Sequence, residues 1–272
     1  MKIAVATATE DALPSAFVVF RGLEQSIRKA ADMGYDGVEL ALMHREQANL
    51  RLIKRLLSEY GMEIPAISTG QVFAGLGLWF THPDPGTRNK AIEVFRGLVD
   101  LAAEFGAMVN IGRLRGPIPE GENREIAENR FLDVLRVLAD YAAGLGVTLL
   151  LEPVNRYEIN FINTVDEGAA LIRKLGRKNV YLMPDIFHMN IEDDSIPASF
   201  ARNSPHTAYV HFADSNRLAP GRGHLNFPEI VGTLKALGYE GWISVEILPN
   251  PDPDTAAREA IRYLRTLIPG NS

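Results

Sequence analysis

Eight short apolar runs alternate with eight longer amphipathic stretches along 272 residues. That alternation predicts an α/β fold, a single (β/α)8 barrel (TIM barrel) spanning residues 1–272. Two further observations separate it from a doubly wound open sheet. The segment after the first run, ATATEDALP, contains no GxGxxG phosphate loop. Four of the later runs, GVTLLLE, NVYLMPD, HTAYVH and GWISVE, finish on polar side chains, as strands that deliver groups to one rim of a barrel would.

The elements follow in order. KIAVA makes the first strand, at 2–6, and the helix expected at 22–33 stops at Gly34. MGYDGV then leads into the strand at 36–40, a device repeated as LGYEGW before the last strand. A helix at 46–60 ends at Gly61 ahead of the strand at 64–68. Helix 85–105 ends at Gly106 before strand 107–112, and helix 123–145 ends at Gly146 before strand 147–152. A left-handed glycine is the usual way to stop a helix at such points. Thr164 and Glu167 form a capping box for the helix at 165–176, followed by Gly176 and the strand at 180–184. Helix 189–202, strand 208–212, helix 227–238, strand 242–247 and helix 254–268 complete the alternation.

Composition sets bounds on function. Apolar residues are 46% and charged residues 23%, an ordinary globular balance, and a chain of this length buries a core without staples. The absence of cysteine removes thiolate nucleophiles, dithiol redox chemistry and thiolate zinc sites. A net charge of −6 argues against broad nucleic-acid binding. MKIAVATATEDALP is too short in its apolar run for a secretory signal, and no stretch is long enough to span a membrane. A cytoplasmic protein is expected, and a homo-oligomer remains open.

Glu152, Asp185, His211 and Glu246 close the four strands, at intervals of 33, 26 and 35 residues. Contiguous strands five to eight would bring three carboxylates and an imidazole to one mouth, where without a cation they would repel. One divalent metal ion is therefore expected, with Mn2+, Mg2+ and Co2+ all suited to hard oxygen ligands plus one imidazole. Further polar groups crowd the same loops: Glu158 with Asn155 and Arg156 after Glu152, His188 after Asp185, and Asp214, Arg217, Arg222 and His224 after His211.

The segments EPVNRYE, DIFHMNIED, HFADSNRLAPGRGH and the final SVE resemble the xylose-isomerase-like TIM barrels, within them the ketose 3-epimerase and 5-keto-gluconate epimerase branch. The similarity covers nearly the whole chain. It implies that Glu152, Asp185, His211 and Glu246 hold the metal, Mn2+ first, and that Glu158, His188 and Arg217 touch substrate. It also casts Glu152 and Glu246 as an acid/base pair. The chemistry would be removal of the proton beside a ketone, stabilisation of the enediolate by the metal, and reprotonation on the opposite face. Arg113 and Arg115, in NIGRLRG, are expected to point the same way from a strand end and to favour an anionic keto-sugar acid, unless they pair with Glu120 or Glu122. An aldose–ketose isomerase of the hydroxypyruvate type and a keto-inositol dehydratase share the intermediate and are the rival enzymes. A multi-metal endonuclease fits poorly with six histidines and an acidic chain, and a mere sugar-binding protein would not need both glutamates. The apolar segment TGQVFAGLGLWFTHPD is read as a lid, a subunit interface or rim packing.

Overall fold

In the computed structural model, which describes residues 1–270, eight parallel strands form the expected barrel; of the expected domain, residues 271 and 272 lie outside the described residues. The strands are β1 Lys2–Ala8, β2 Gly37–Ala41, β3 Ala66–Ser68, β4 Met108–Ile111, β5 Leu149–Leu151, β6 Val180–Leu182, β7 Tyr209–Phe212 and β8 Trp242–Val245. Their order in the sheet is β6-β5-β4-β3-β2-β1-β8-β7, every pairing parallel. Among the described residues, the seam between β6 and β7 carries only two isolated bridges, Leu182 with Thr207 and Asp185 with His211.

Alternation along each strand divides two cores. Val5, Val38, Leu40, Val109, Leu149, Val210 and Ile243 face outward into one buried cluster with Ile27, Leu56, Phe95 and Leu135 of the surrounding helices. Full burial of each such side chain contributes about 1.5–3 kcal/mol. Ala66, Leu150, Met183 and Tyr209 fill the barrel interior as a separate layer. That layer plugs the barrel below and leaves the strand ends as the floor of a mouth.

The helices are α1 Leu23–Met33, α2 Leu50–Tyr60, α3 Gly70–Leu76, α4 Pro85–Ala103, α5 Arg124–Gly144, α6 Val165–Leu175, α7 Ile186–Glu192, α8 Ile196–Asn203, α9 Phe227–Ala236 and α10 Pro253–Leu267. The capping box of α6 forms as expected, and Gly176 ends the helix at φ 69°. Two differences matter. The helix expected at 189–202 starts earlier and divides at Asp193–Ser195, where Ser195 caps α8 and Pro197 sits in its first turn. The segment after β3 is no open loop: it forms α3, after which Phe80 packs on Phe95 and Phe131.

A candidate metal centre at the barrel mouth

Glu152 directly follows β5, Asp185 caps α7 three residues beyond β6, His211 is the third residue of β7, and Glu246 directly follows β8. One ligand atom from each lies within 4.8 Å of the others. His211 Nδ1 is 3.4 Å from Glu152 Oε1 and 3.7 Å from Glu246 Oε2. Asp185 and His211 are fully buried, and Glu152 nearly so. Among the described residues His211 Nδ1 and Asp185 Oδ2 have no hydrogen-bond partner. Two orphaned buried atoms from a converging set of three oxygens and one nitrogen are what a divalent cation would satisfy. The four residues fit one.

The surroundings tune each group. Burial pushes Glu152 up, but the imidazole of His211 and the Asn110 amide outweigh it, leaving its pKa at about 2. Asn110 Nδ2 donates to Glu152 Oε2 at 2.9 Å. Burial prevails at Asp185 and Glu246, which rise to about 6 and about 7 despite Arg217 and His211 nearby. Burial lowers His211, yet Glu39, Glu246 and Glu152 together hold it well above the usual imidazole range. Burial, reinforced by Arg217, keeps His188 well below that range and therefore neutral.

Above this cluster opens a small cleft, bordered by Phe17, Gln71, Arg113, Glu152, Glu158, His188, Arg217 and Glu246 among others. Arg217 spans it. One guanidinium nitrogen lies 2.5 Å from Glu246 Oε2 and 3.5 Å from Asp185 Oδ2, and the other 3.4 Å from Glu158. The same group lies over the rings of Phe17 and Phe187, at 3.8 and 4.7 Å. Its backbone holds a left-handed φ of 59°, uncommon outside glycine. Asp214 braces this loop by accepting backbone hydrogen bonds from Ser215, Gly221 and Leu225.

Of the sequence candidates, Glu158, His188, Arg217 and Arg113 border the cleft with Glu152 and Glu246. Arg113 stands 3.7 Å from Glu158 and over the Phe73 ring. Arg115 does not join them: contrary to expectation, it lies away from the cleft. The chain after Ile111 turns into a 3-10 turn, Arg113–Arg115, in which residues two apart diverge. Arg115 is fully buried and donates to the carbonyls of Gly112, Glu152, Phe161 and Ile162. Neither arginine pairs with Glu122, which binds Arg130 at 2.7 Å. The α3 segment packs the rim, with Phe73 under Arg113.

Two residues not singled out by the sequence stand behind the ligands. Asn110 lies within β4, and Glu39 lies in the middle of β2 with no exposure. Their only sequence signal was a polar residue inside an otherwise apolar strand.

The description that matches residues 27–267 is the xylose isomerase-like TIM barrel family model. An L-ribulose 3-epimerase from Methylomonas sp. (strain DH-1) is 34% identical over 253 residues, 90% of this chain and 85% of that protein. A 3-dehydro-D-guloside 4-epimerase from Escherichia coli (strain K12) is 29% identical over 255 residues, 89% of this chain and 94% of that one. Among solved structures, D-allulose 3-epimerase from Methylomonas sp. in complex with D-allulose superposes with a TM-score of 0.81 at 27% identity, covering 98% of each chain.

Proposed function

Because the chain belongs to the xylose isomerase-like TIM barrel family, in its ketose and sugar-acid 3-epimerase branch, we propose that it inverts the carbon beside the ketone of a ketose or keto-sugar acid. The observation that carries this reading is that Glu152 and Glu246 both belong to one candidate cation site, at the ends of strands separated by two others, and both border the cleft. A divalent cation held by Glu152, Asp185, His211 and Glu246, manganese by our choice and magnesium or cobalt otherwise, would supply positive charge where deprotonation builds an oxyanion.

The chain's own residues do the rest. One of the two glutamates takes the proton from the carbon, and the other delivers one to the opposite face. Which acts first follows from the handedness of the substrate. His188, neutral and buried, donates a hydrogen bond to a substrate oxygen. Arg217 and Glu158 orient hydroxyls, and Phe17 with the loop around it keeps water off the carbanion. The named relatives act on neutral ketoses and a keto-glycoside. Arg113 supports a finer reading, an anionic keto-sugar acid of the 5-keto-gluconate type, whose carboxylate it would meet at the cleft edge.

Incubating metal-loaded protein in D2O with ketoses and keto-sugar acids, followed by NMR, tests the proposal. Deuterium beside the ketone together with the inverted epimer supports it. An aldose product would make the enzyme an isomerase, and loss of water a dehydratase. Undiminished turnover after chelation would remove the metal. In the same assay Glu246→Gln is expected to cut proton exchange by orders of magnitude. Arg113→Ala should impair acids while sparing neutral ketoses; equal effects on both would end the acid reading.

A further inference from the structure

We propose that Glu39 is a positioning residue of the metal centre: from the far wall of the barrel it orients His211 and keeps the imidazole proton on Nε2, leaving Nδ1 bare for a cation. The inference rests on reading Glu152, Asp185, His211 and Glu246 as a cation site.

The strand register makes the contact possible. Glu39 alternates with Val38 and Leu40, which belong to the helix-facing core, so its side chain points into the barrel. Between it and His211 stand β1 and β8, where Ala6 is the neighbour of Glu39 and Ser244 the neighbour of His211. Both are small, and the glutamate reaches across. Its Oε1 and Oε2 lie 3.1 and 3.0 Å from His211 Nε2, and the Tyr209 hydroxyl donates to Oε2 at 3.0 Å. Among the described residues His211 is its only ion-pair partner, and no lysine or arginine offsets it.

A carboxylate with no exposure costs several kcal/mol unless it is paired and hydrogen-bonded. An apolar residue would fill the same interior position without that cost. Besides the Tyr209 hydroxyl, the group that gains from the charge is the imidazole. A carboxylate accepts at this distance, so Nε2 carries the proton, and the free lone pair falls on Nδ1, the orphaned atom facing Glu152 and Glu246. Carboxylates behind metal-bound histidines act in this way, fixing the ring and raising its basicity, and removing one lowers metal affinity about 10–100-fold.

The test uses Mn2+ binding by calorimetry on wild type, Glu39→Leu and Glu39→Gln, with melting temperatures of each metal-free protein. Glu39→Leu should bind Mn2+ about 10–100-fold more weakly. Glu39→Gln, which keeps an acceptor but not the charge, should fall between it and wild type, and it carries the comparison if the leucine variant does not fold. In the Mg2+-loaded wild type, 15N NMR should find the His211 proton on Nε2. Wild-type Mn2+ affinity in Glu39→Gln with only a changed melting temperature would reduce Glu39 to a structural role and overturn the proposal. A proton found on Nδ1 would overturn it as well. Failure of the wild type itself to bind one Mn2+ would instead bring down the cation site on which the inference stands.

Discussion

Asn155 decides which nitrogen of His188 faces the cleft. Its Oδ1 accepts from the backbone N–H of Tyr157 at 2.9 Å, which turns Nδ2 toward His188 Nδ1 at 2.7 Å. His188 Nδ1 is therefore the acceptor, and Nε2–H points at the site. Asn155→Asp places an acceptor there, draws the proton to Nδ1 and removes the donor from the cleft. Steady-state kinetics should show kcat lower by about 10–100-fold, while calorimetry finds Mn2+ affinity within about threefold of wild type. A wild-type kcat would show that the His188 donor plays no part. Arg115 teaches the opposite lesson. Read in NIGRLRG it resembled a ligand for substrate, because nothing in those letters marks that the strand stops at Ile111 and the backbone coils. Once it coils, the guanidinium becomes a buried clamp on four carbonyls, one of them that of Glu152. Arg115→Met strands those acceptors, and urea denaturation should register a loss of at least about 3 kcal/mol. A smaller change would mean that water replaces the clamp.

At the scale of elements, the strand ends were legible because a polar residue terminating an apolar run recurs four times. Glu39 and Asn110 were not, since they lie inside strands whose apolar flanks drew the reading. The helix α3 was missed for a physical reason: Gly70 and Gly75 are poor helix formers, and seven residues show too little periodicity. The split between α7 and α8 was signposted by Ser195 and Pro197, a cap and a first-turn proline that a single long helix would not contain. Loop geometry also sets the ligand positions. After β4, Gly112 passes so close to Glu152 that a Cβ would collide with its carboxylate. Gly112→Ala should therefore displace one ligand without disturbing the core. Mn2+ affinity is expected to drop about tenfold or more with little change in melting temperature, since small misplacements of a site group are costly. Unchanged affinity would mean the carboxylate moves aside freely.

Over the whole molecule, charge at the mouth ties stability to pH. A carboxylate with its pKa raised by folding binds more protons folded than unfolded, so its favourable contribution is lost as pH rises through the folded value. Asp185 at about 6 and Glu246 at about 7 behave so, as does Asp193, which burial raises to about 6. His211, raised well above its usual range, loses its contribution in the same direction. Glu152, held at about 2, does the reverse, but its contribution is lost only as pH falls below the ordinary carboxylate range, and His188, held below its usual range, opposes the trend as a single group against four. From about pH 5 to about 8 the melting temperature of the metal-free protein should therefore fall, while with Mn2+ bound the decline should flatten, because the cation replaces the protons and releases them. Calorimetry at several pH values, with chelator and with Mn2+, checks this; a metal-free melting temperature that climbs over the window would refute it. A hoop is only as strong as its join. Here the staves between Leu182 and Thr207 meet loosely, and the bridge from Asp185 to His211 joins two of the residues that would grip the ion. The cation would then be a clasp on the ring's join, tightening the wall and supplying the chemistry from one point.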